Sequence, residues 1–281
     1  MKIGIGLDAR LGLPFDQLRA AAREAAELGF ESVWTPAGGV PDSFHVCAAW
    51  SQDTALRTGI SVVPAARMWT PLALAAQAAT LAQLSAGQFV LGLGTGGYGP
   101  GFWASVGLPD RPIAVMREYA TEVRGLLADA GAARAGRVPG SVPMTMYIRV
   151  CVDDDVAAAR RAFGAQVLGY AMGAPGTPPG AGYRGLFGQM GFDAELTELE
   201  QRRDRGAALS ELVDAAPEEM LGAVGYYGPA AGAPAAFARL SGGLDEAIVR
   251  IVTARPGPEP VSHAMAALTP ALIRSASAAG S

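Results

Sequence analysis

Four short apolar segments, evenly spaced through the first 94 residues, constrain this chain more than any other feature. They are KIGIGL (2–7), ESVWT (31–35), TGISVV (58–63) and FVLGLG (89–94). Between them lie stretches with helical spacing. The first, 15–28, carries apolar residues from Phe15 and Leu18 to Leu28. The second, 43–56, has Ser43 placed as N-cap, and the third, 70–84, has Thr70 as N-cap and Pro71 at its first position. Gly29 stops the first helix and Pro64 closes the third strand. Strand and helix alternating on short connections give βαβ units and a parallel sheet. Strands that are apolar almost throughout suit a sheet covered by helices on one side and filled on the other, an α/β arrangement of TIM-type (β/α) barrel class. A doubly wound open sheet competes, but its Gly-rich dinucleotide turn is missing. The first strand runs into Asp8-Ala9-Arg10-Leu11-Gly12 instead.

The second half is less regular. A helix is expected over 111–129, a strand over 142–152, and a helix from Asp153–Asp155 to about Met172, with the acidic residues at its positive end. A Gly/Pro loop (173–182) and an aromatic stretch (183–192) follow. Then come a polar helix (194–213), a short helix from Pro217 to Gly222, a helix over 230–240, a strand over 245–252 and a helix over 261–274. That makes about six strands where a complete barrel has eight. Between Leu127 and Val142 the chain runs DAGAARAGRVPGS, too short for two βα units of about 30 residues each. The expected barrel is therefore reduced, on one domain spanning 1–281.

Composition narrows the function classes. The chain has 281 residues, half of them apolar, enough for one large core. A net charge of −4 gives no electrostatic reason to bind nucleic acid or an anionic membrane. No run of about 18 apolar residues occurs, and the N-terminus enters a strand directly, so a cytoplasmic protein is expected. Cys47 and Cys151 lack metal or redox spacing, and the two histidines, His45 and His263, lie over two hundred residues apart, so no metal site is expected.

Several segments resemble the luciferase-like monooxygenase superfamily, above all its coenzyme F420-dependent oxidoreductase branch. They are GFESVW (29–34), TGISVVPAARMWTPLALAAQAATLAQLSAGQFVLGLGTG (58–96), RPIAVMREYATEVRGLL (111–127), IRVCVDDDVAAARRA (148–162), YRGLFGQMGF (183–192) and LVDAAPEEM (212–220). The resemblance implies a barrel that binds flavin or deazaflavin at the carboxyl ends of its strands. It implies a bulge ending the third strand, often with a non-prolyl cis peptide, that backs the tricyclic ring; Ser61 and Val62 match that place. It implies that the loop after the fourth strand, with Thr95, Gly96 and Gly97, passes close to the cofactor. The chain departs from the pattern in two ways. The acidic-His pair expected just after the second strand is replaced by Thr35-Pro36, and the segment around a further phosphate-contacting strand is missing.

Each candidate also has a structural reading. Ser61 and Val62 back the ring or form an ordinary strand end; Thr95, Gly96 and Gly97 hold the cofactor or form a plain turn. Asp42 and His45 are the weak catalytic candidates, against a role at a helix start. Arg67, Trp69, Tyr98 and Trp103 are the substrate-binding candidates on two rim loops, with Met68 and Phe102 beside them. Asp8 is as suited to a turn as to chemistry, Glu118 and Tyr119 read as helix packing, and 170–183 as a lid. The resulting expectation is hydride transfer from reduced F420 to a C=C or C=N bond of a small-molecule substrate. An FMN-dependent monooxygenase and a non-catalytic flavin-binding relative are the alternatives. A homodimer is expected, because lost strands leave apolar surface for a partner to cover.

Overall fold

The computed structural model describes residues 1–38, 40–65, 68–96, 107–108, 111–131, 145–176, 178–180 and 182–279. Contacts group the chain into two compact units, Met1–Met146 with Leu244–Ile248, and Tyr147–Gly243 with Val249–Ser281. The strands follow the order β4-β3-β2-β1-β7-β5-β6, a parallel, helix-bearing arrangement of TIM-type (β/α) class with seven strands among the described residues.

The first unit runs β1 (Lys2–Gly6), α1 (Phe15–Glu27), β2 (Ser32–Thr35), α2 (Ser43–Asp53), β3 (Arg57–Pro64), α3 (Pro71–Leu84), β4 (Phe89–Gly94) and α4 (Pro112–Gly131). Its register sorts the side chains onto two faces. Ile5, Val33 and Thr58 stand side by side, as do Thr35 and Ile60, and all five are buried on one face. Gly6, Trp34, Gly59 and Val90 form a row on the other. Thr70 caps α3 as the sequence indicates, accepting from the Ala73 amide at 3.2 Å, with Pro71 in the first turn. The cap of α2 is a correction. Asp42, not Ser43, accepts from the Phe44 and His45 amides, while the Ser43 hydroxyl turns back to the Pro36 carbonyl at 2.8 Å.

The second unit contains most of β5 (Thr145–Val152), α5 (Val156–Ala171), α6 (Gly182–Phe187), a π-helical turn (Gly188–Phe192), α7 (Asp193–Asp204), α8 (Leu209–Ala215), α9 (Glu218–Gly222), β6 (Gly225–Gly228), α10 (Ala233–Leu240), the end of β7 (Glu246–Ile251), α11 (Pro258–Ala267) and α12 (Pro270–Ala279). Its core sets Phe163 and Val167 of α5 against Leu196 of α7, Val213 of α8 and Met220 of α9. β6 is the strand that periodicity misses. It is four residues, GYYG, and its first glycine lies against the Phe163 ring, where a Cβ would come within 2.6 Å of Cζ. The expected helix over 194–213 is two helices, broken where Gly206 takes φ +91°. The expected last helix is likewise two, α11 starting at Pro258 and α12 at Pro270. The aromatic stretch 183–192 is helical, and the Gly/Pro loop is held where it begins: Glu200 accepts from the Gly173 amide at 2.9 Å and Arg203 donates to the Gly173 carbonyl. Among the described residues no helix is long and apolar enough to cross a membrane. The short segment between α4 and β5, where barrel strands were expected to be lost, falls on residues 132–144, outside the described residues.

Candidate active site

The carboxyl ends of β2, β3 and β4 build the candidate site. β3 and β4 pair regularly from Thr58↔Phe89 to Ile60↔Leu91, then resume at Val63↔Leu93, with an irregularity between. Ser61 and Val62 form that bulge, and the peptide bond joining them is cis. The sequence explains why β4 tolerates it. A Cβ on Gly92 would stand 2.7 Å from the Ile60 carbonyl oxygen, and one on Gly94 2.7 Å from Val62 Cγ2. Two alternate glycines thus let the β4 backbone lie directly against the bulge. Below the bulge the Ala37 amide donates to the Val62 carbonyl at 3.3 Å, and beyond it the Ala65 amide donates to Gly94 at 2.8 Å. Ser61 and Val62 are both half-buried.

The chain leaves β4 through Thr95 and Gly96, also half-buried, with Gly96 at φ +78°. Gly97, Tyr98, Trp103, Phe102 and Arg67 lie outside the described residues. Trp69 is described and is held from two sides. Its ring centre is 6.0 Å from that of Phe44, and its carbonyl accepts from the Tyr119 hydroxyl at 2.8 Å. Tyr119 is fully buried, which bears out its reading as a packing group. Asp8 is buried and caps the turn Ala9–Leu11, accepting from the Arg10 amide at 2.7 Å.

Asp42 does two jobs at the start of α2. One carboxylate oxygen caps the helix and also meets His45 Nδ1 at 2.7 Å. The His45 side chain is 82% exposed, so its Nε2 edge faces solvent. The geometry is that of an imidazole oriented by a carboxylate, with its other ring edge toward solvent.

Reading the sequence residue by residue did not single out Trp34, Ser32, Arg57 and Glu246. The Trp34 indole crosses the row of strands on the glycine face. Its Nε1 donates to Ser32 Oγ at 2.7 Å and lies 3.3 Å from Glu246 Oε1. Ser32 Oγ also donates to Glu246 at 2.5 Å, and Arg57 pairs with the other Glu246 oxygen. The available signal was Gly4, Gly6 and Gly59 on strands flanking a tryptophan, since missing side chains there leave room for an indole.

The cysteines take no part. Burial, with Asp42 adding to it, pushes the Cys47 thiol far above its ordinary value. Burial, with Asp153, pushes Cys151 up to about 12. A pKa raised in the fold leaves essentially no thiolate at neutral pH. Neither thiol should therefore react with a disulfide reagent in the native protein at pH 8, and both should react once it is unfolded. One fast-reacting thiol in native buffer would contradict this burial. Among the described residues no cluster of metal-ligating side chains occurs.

Comparison with known proteins supports the frame. The family model of the luciferase-like monooxygenases matches residues 1–130. A Mycobacterium tuberculosis protein provisionally named a coenzyme F420-dependent oxidoreductase is 32% identical over 136 residues, which cover 46% of this chain and 37% of that protein's length. Among solved structures, the coenzyme F420-dependent tetrahydromethanopterin reductase of Methanopyrus kandleri superposes with a TM-score of 0.70 at 15% identity, over 96% of this chain and 99% of that one. The oxygenating constituent of 3,6-diketocamphane monooxygenase of Pseudomonas putida, bound to FMN, superposes with a TM-score of 0.58 at 15% identity, over 98% and 99%. At such identities these structures establish the fold alone. Residues 1–130 of this chain are thus similar to the luciferase-like monooxygenases, and the described residues share the fold of the solved F420- and FMN-dependent enzymes.

Proposed function

We propose that the protein is an oxidoreductase that uses reduced coenzyme F420 to reduce an electrophilic C=C or C=N bond of a small organic substrate. The observation carrying this reading is the β3 bulge at Ser61-Val62, backed by the side-chain-free path of β4 at Gly92 and Gly94. The two glycines let β4 accommodate the bulge, whose half-buried backbone is the surface a flat tricyclic ring would lie against. Ser61 and Val62 would back it, and Thr95 and Gly96 would meet its edge.

Bound reduced F420 supplies a hydride; the protein's part is to position the two reactants and exclude water. Phe44 and Trp69 give the rim an apolar wall. The proton that completes the reduction would come from solvent, and His45, held through Nδ1 by Asp42, is a candidate among the described residues to relay it. FMN-dependent monooxygenation is the second reading, favoured by the same backbone wall, which a flavin and a deazaflavin fill alike. Two copies would associate through α3, which has no charged residue over Pro71–Leu84 and leaves Leu72 68% exposed.

Titration of the purified protein with F420 and with FMN, read by fluorescence quenching, tests the assignment. Saturable F420 binding with weaker FMN binding is the expected result. The reverse order would transfer the assignment to the monooxygenase reading, and binding of neither would end both.

A further inference from the structure

We propose that Trp34 is a positioning residue of this site: its indole, locked by Glu246, is the internal plate on which the β3 backbone leading to Ser61-Val62 rests. The proposal rests on the cofactor reading above. Trp34 is 3% exposed and lies on the face of the sheet opposite Ile5, Val33 and Ile60. One end of the ring reaches β1, where a Cβ on Gly4 would stand 3.0 Å from Nε1. The other end covers β3, where a Cβ on Gly59 would fall within the benzo edge and 2.8 Å from Cδ2. The indole therefore spans three strands, in contact with the backbone at Gly59, two residues before the bulge.

The polar end of the ring is fixed with unusual completeness. Glu246 is 4% exposed, and a carboxylate at that depth persists only where donors surround it. Three converge on it: Ser32 Oγ, Trp34 Nε1 and the Arg57 guanidinium. Arg57 also lies 5.8 Å from the Trp34 ring centre. Any buried indole N–H needs an acceptor, and Trp50 meets a single backbone carbonyl; Trp34 instead meets a serine hydroxyl and a carboxylate that is itself held by Arg57. Fixing Nε1 fixes the direction of the benzo edge, and that edge sets the height of Gly59 and of the segment after it. Gly6, beside Trp34 in the same row, adds no side chain that could take over this support.

Trp34→Phe keeps an aromatic ring but loses the N–H and the benzo edge. Glu246→Gln keeps the indole and weakens its anchor. Trp50→Phe is the control for loss of a buried indole, since Trp50 donates to the Leu18 carbonyl at 3.1 Å in the helix layer. With FMN and F420 as probes, Trp34→Phe should raise Kd by roughly tenfold or more and alter the visible band of the bound ring. Glu246→Gln should do the same more weakly, and Trp50→Phe should change neither. If Trp34→Phe fails to fold, the spectrum and Kd of Glu246→Gln decide the matter. Wild-type binding with an unchanged Kd and band shape in the Trp34 and Glu246 variants would overturn the proposal and leave the cofactor reading standing. A wild-type protein that binds neither probe would remove both.

Discussion

Arg184→Ala is expected to cost about 2–3 kcal/mol of stability, less than the about 3–5 kcal/mol of a fully buried ion pair because the Asp193 and Glu200 side chains keep 65% and 20% of their surface exposed. The Arg184 side chain is 1% exposed, and every arm of its guanidinium is used. Nε meets both Glu200 oxygens at 3.2 Å, one terminal nitrogen meets Asp193 at 2.8 Å, and the other meets Thr197 Oγ1 at 3.0 Å and the Asp193 carbonyl at 3.2 Å. Glu200 in turn holds the Gly173 amide, so one arginine ties α6, α7 and the start of the loop after α5 into a single knot. Arg184→Lys should recover less than half of the loss, because an ammonium cannot spread planar donors over three directions. Urea unfolding with an unchanged m-value is the measurement. A loss below about 1 kcal/mol for the alanine variant, the range of a surface pair, would show that the knot is dispensable.

Gly92→Ala should abolish ring binding more completely than Gly94→Ala. The added methyl at position 92 meets the Ile60 carbonyl oxygen, a backbone atom that moves only if β3 and β4 separate at the bulge. At position 94 it meets Val62 Cγ2, the end of a side chain that can rotate. Overpacking against backbone costs about 1–3 kcal/mol, and here that falls on the wall of the site itself. The expected order of Kd for FMN or F420 is Gly92→Ala well above Gly94→Ala, with wild type lowest. The opposite order, or no effect at position 92, would separate the bulge from ligand binding.

The first four βα units were legible because each carries its own punctuation: Thr70 and Pro71 start α3, and Gly29 stops α1. The bulge was placed by resemblance, and the paired glycines that permit it stood in plain view at positions 92 and 94. What escaped has separate physical causes. Asp42 outcompeted Ser43 as cap because its carboxylate reaches two amides and an imidazole together, which spacing alone does not rank. β6 has four residues and two glycines, too short for periodicity to register. Glu246 sits 212 positions from Trp34, and only the fold brings that carboxylate to the indole. The long polar helix was split because Gly206 could adopt a left-handed conformation, a choice made by the packing of α7 and α8 rather than by apolar spacing.

A ring supported by the backbone at positions 61 and 62 would be seen in a crystal structure of the protein soaked with F420 or FMN. Ring atoms should lie within about 4 Å of the Ser61 and Val62 backbone, with the β4 glycines behind them. A ring bound elsewhere, or protein side chains filling the space in front of that bulge, would contradict that placement.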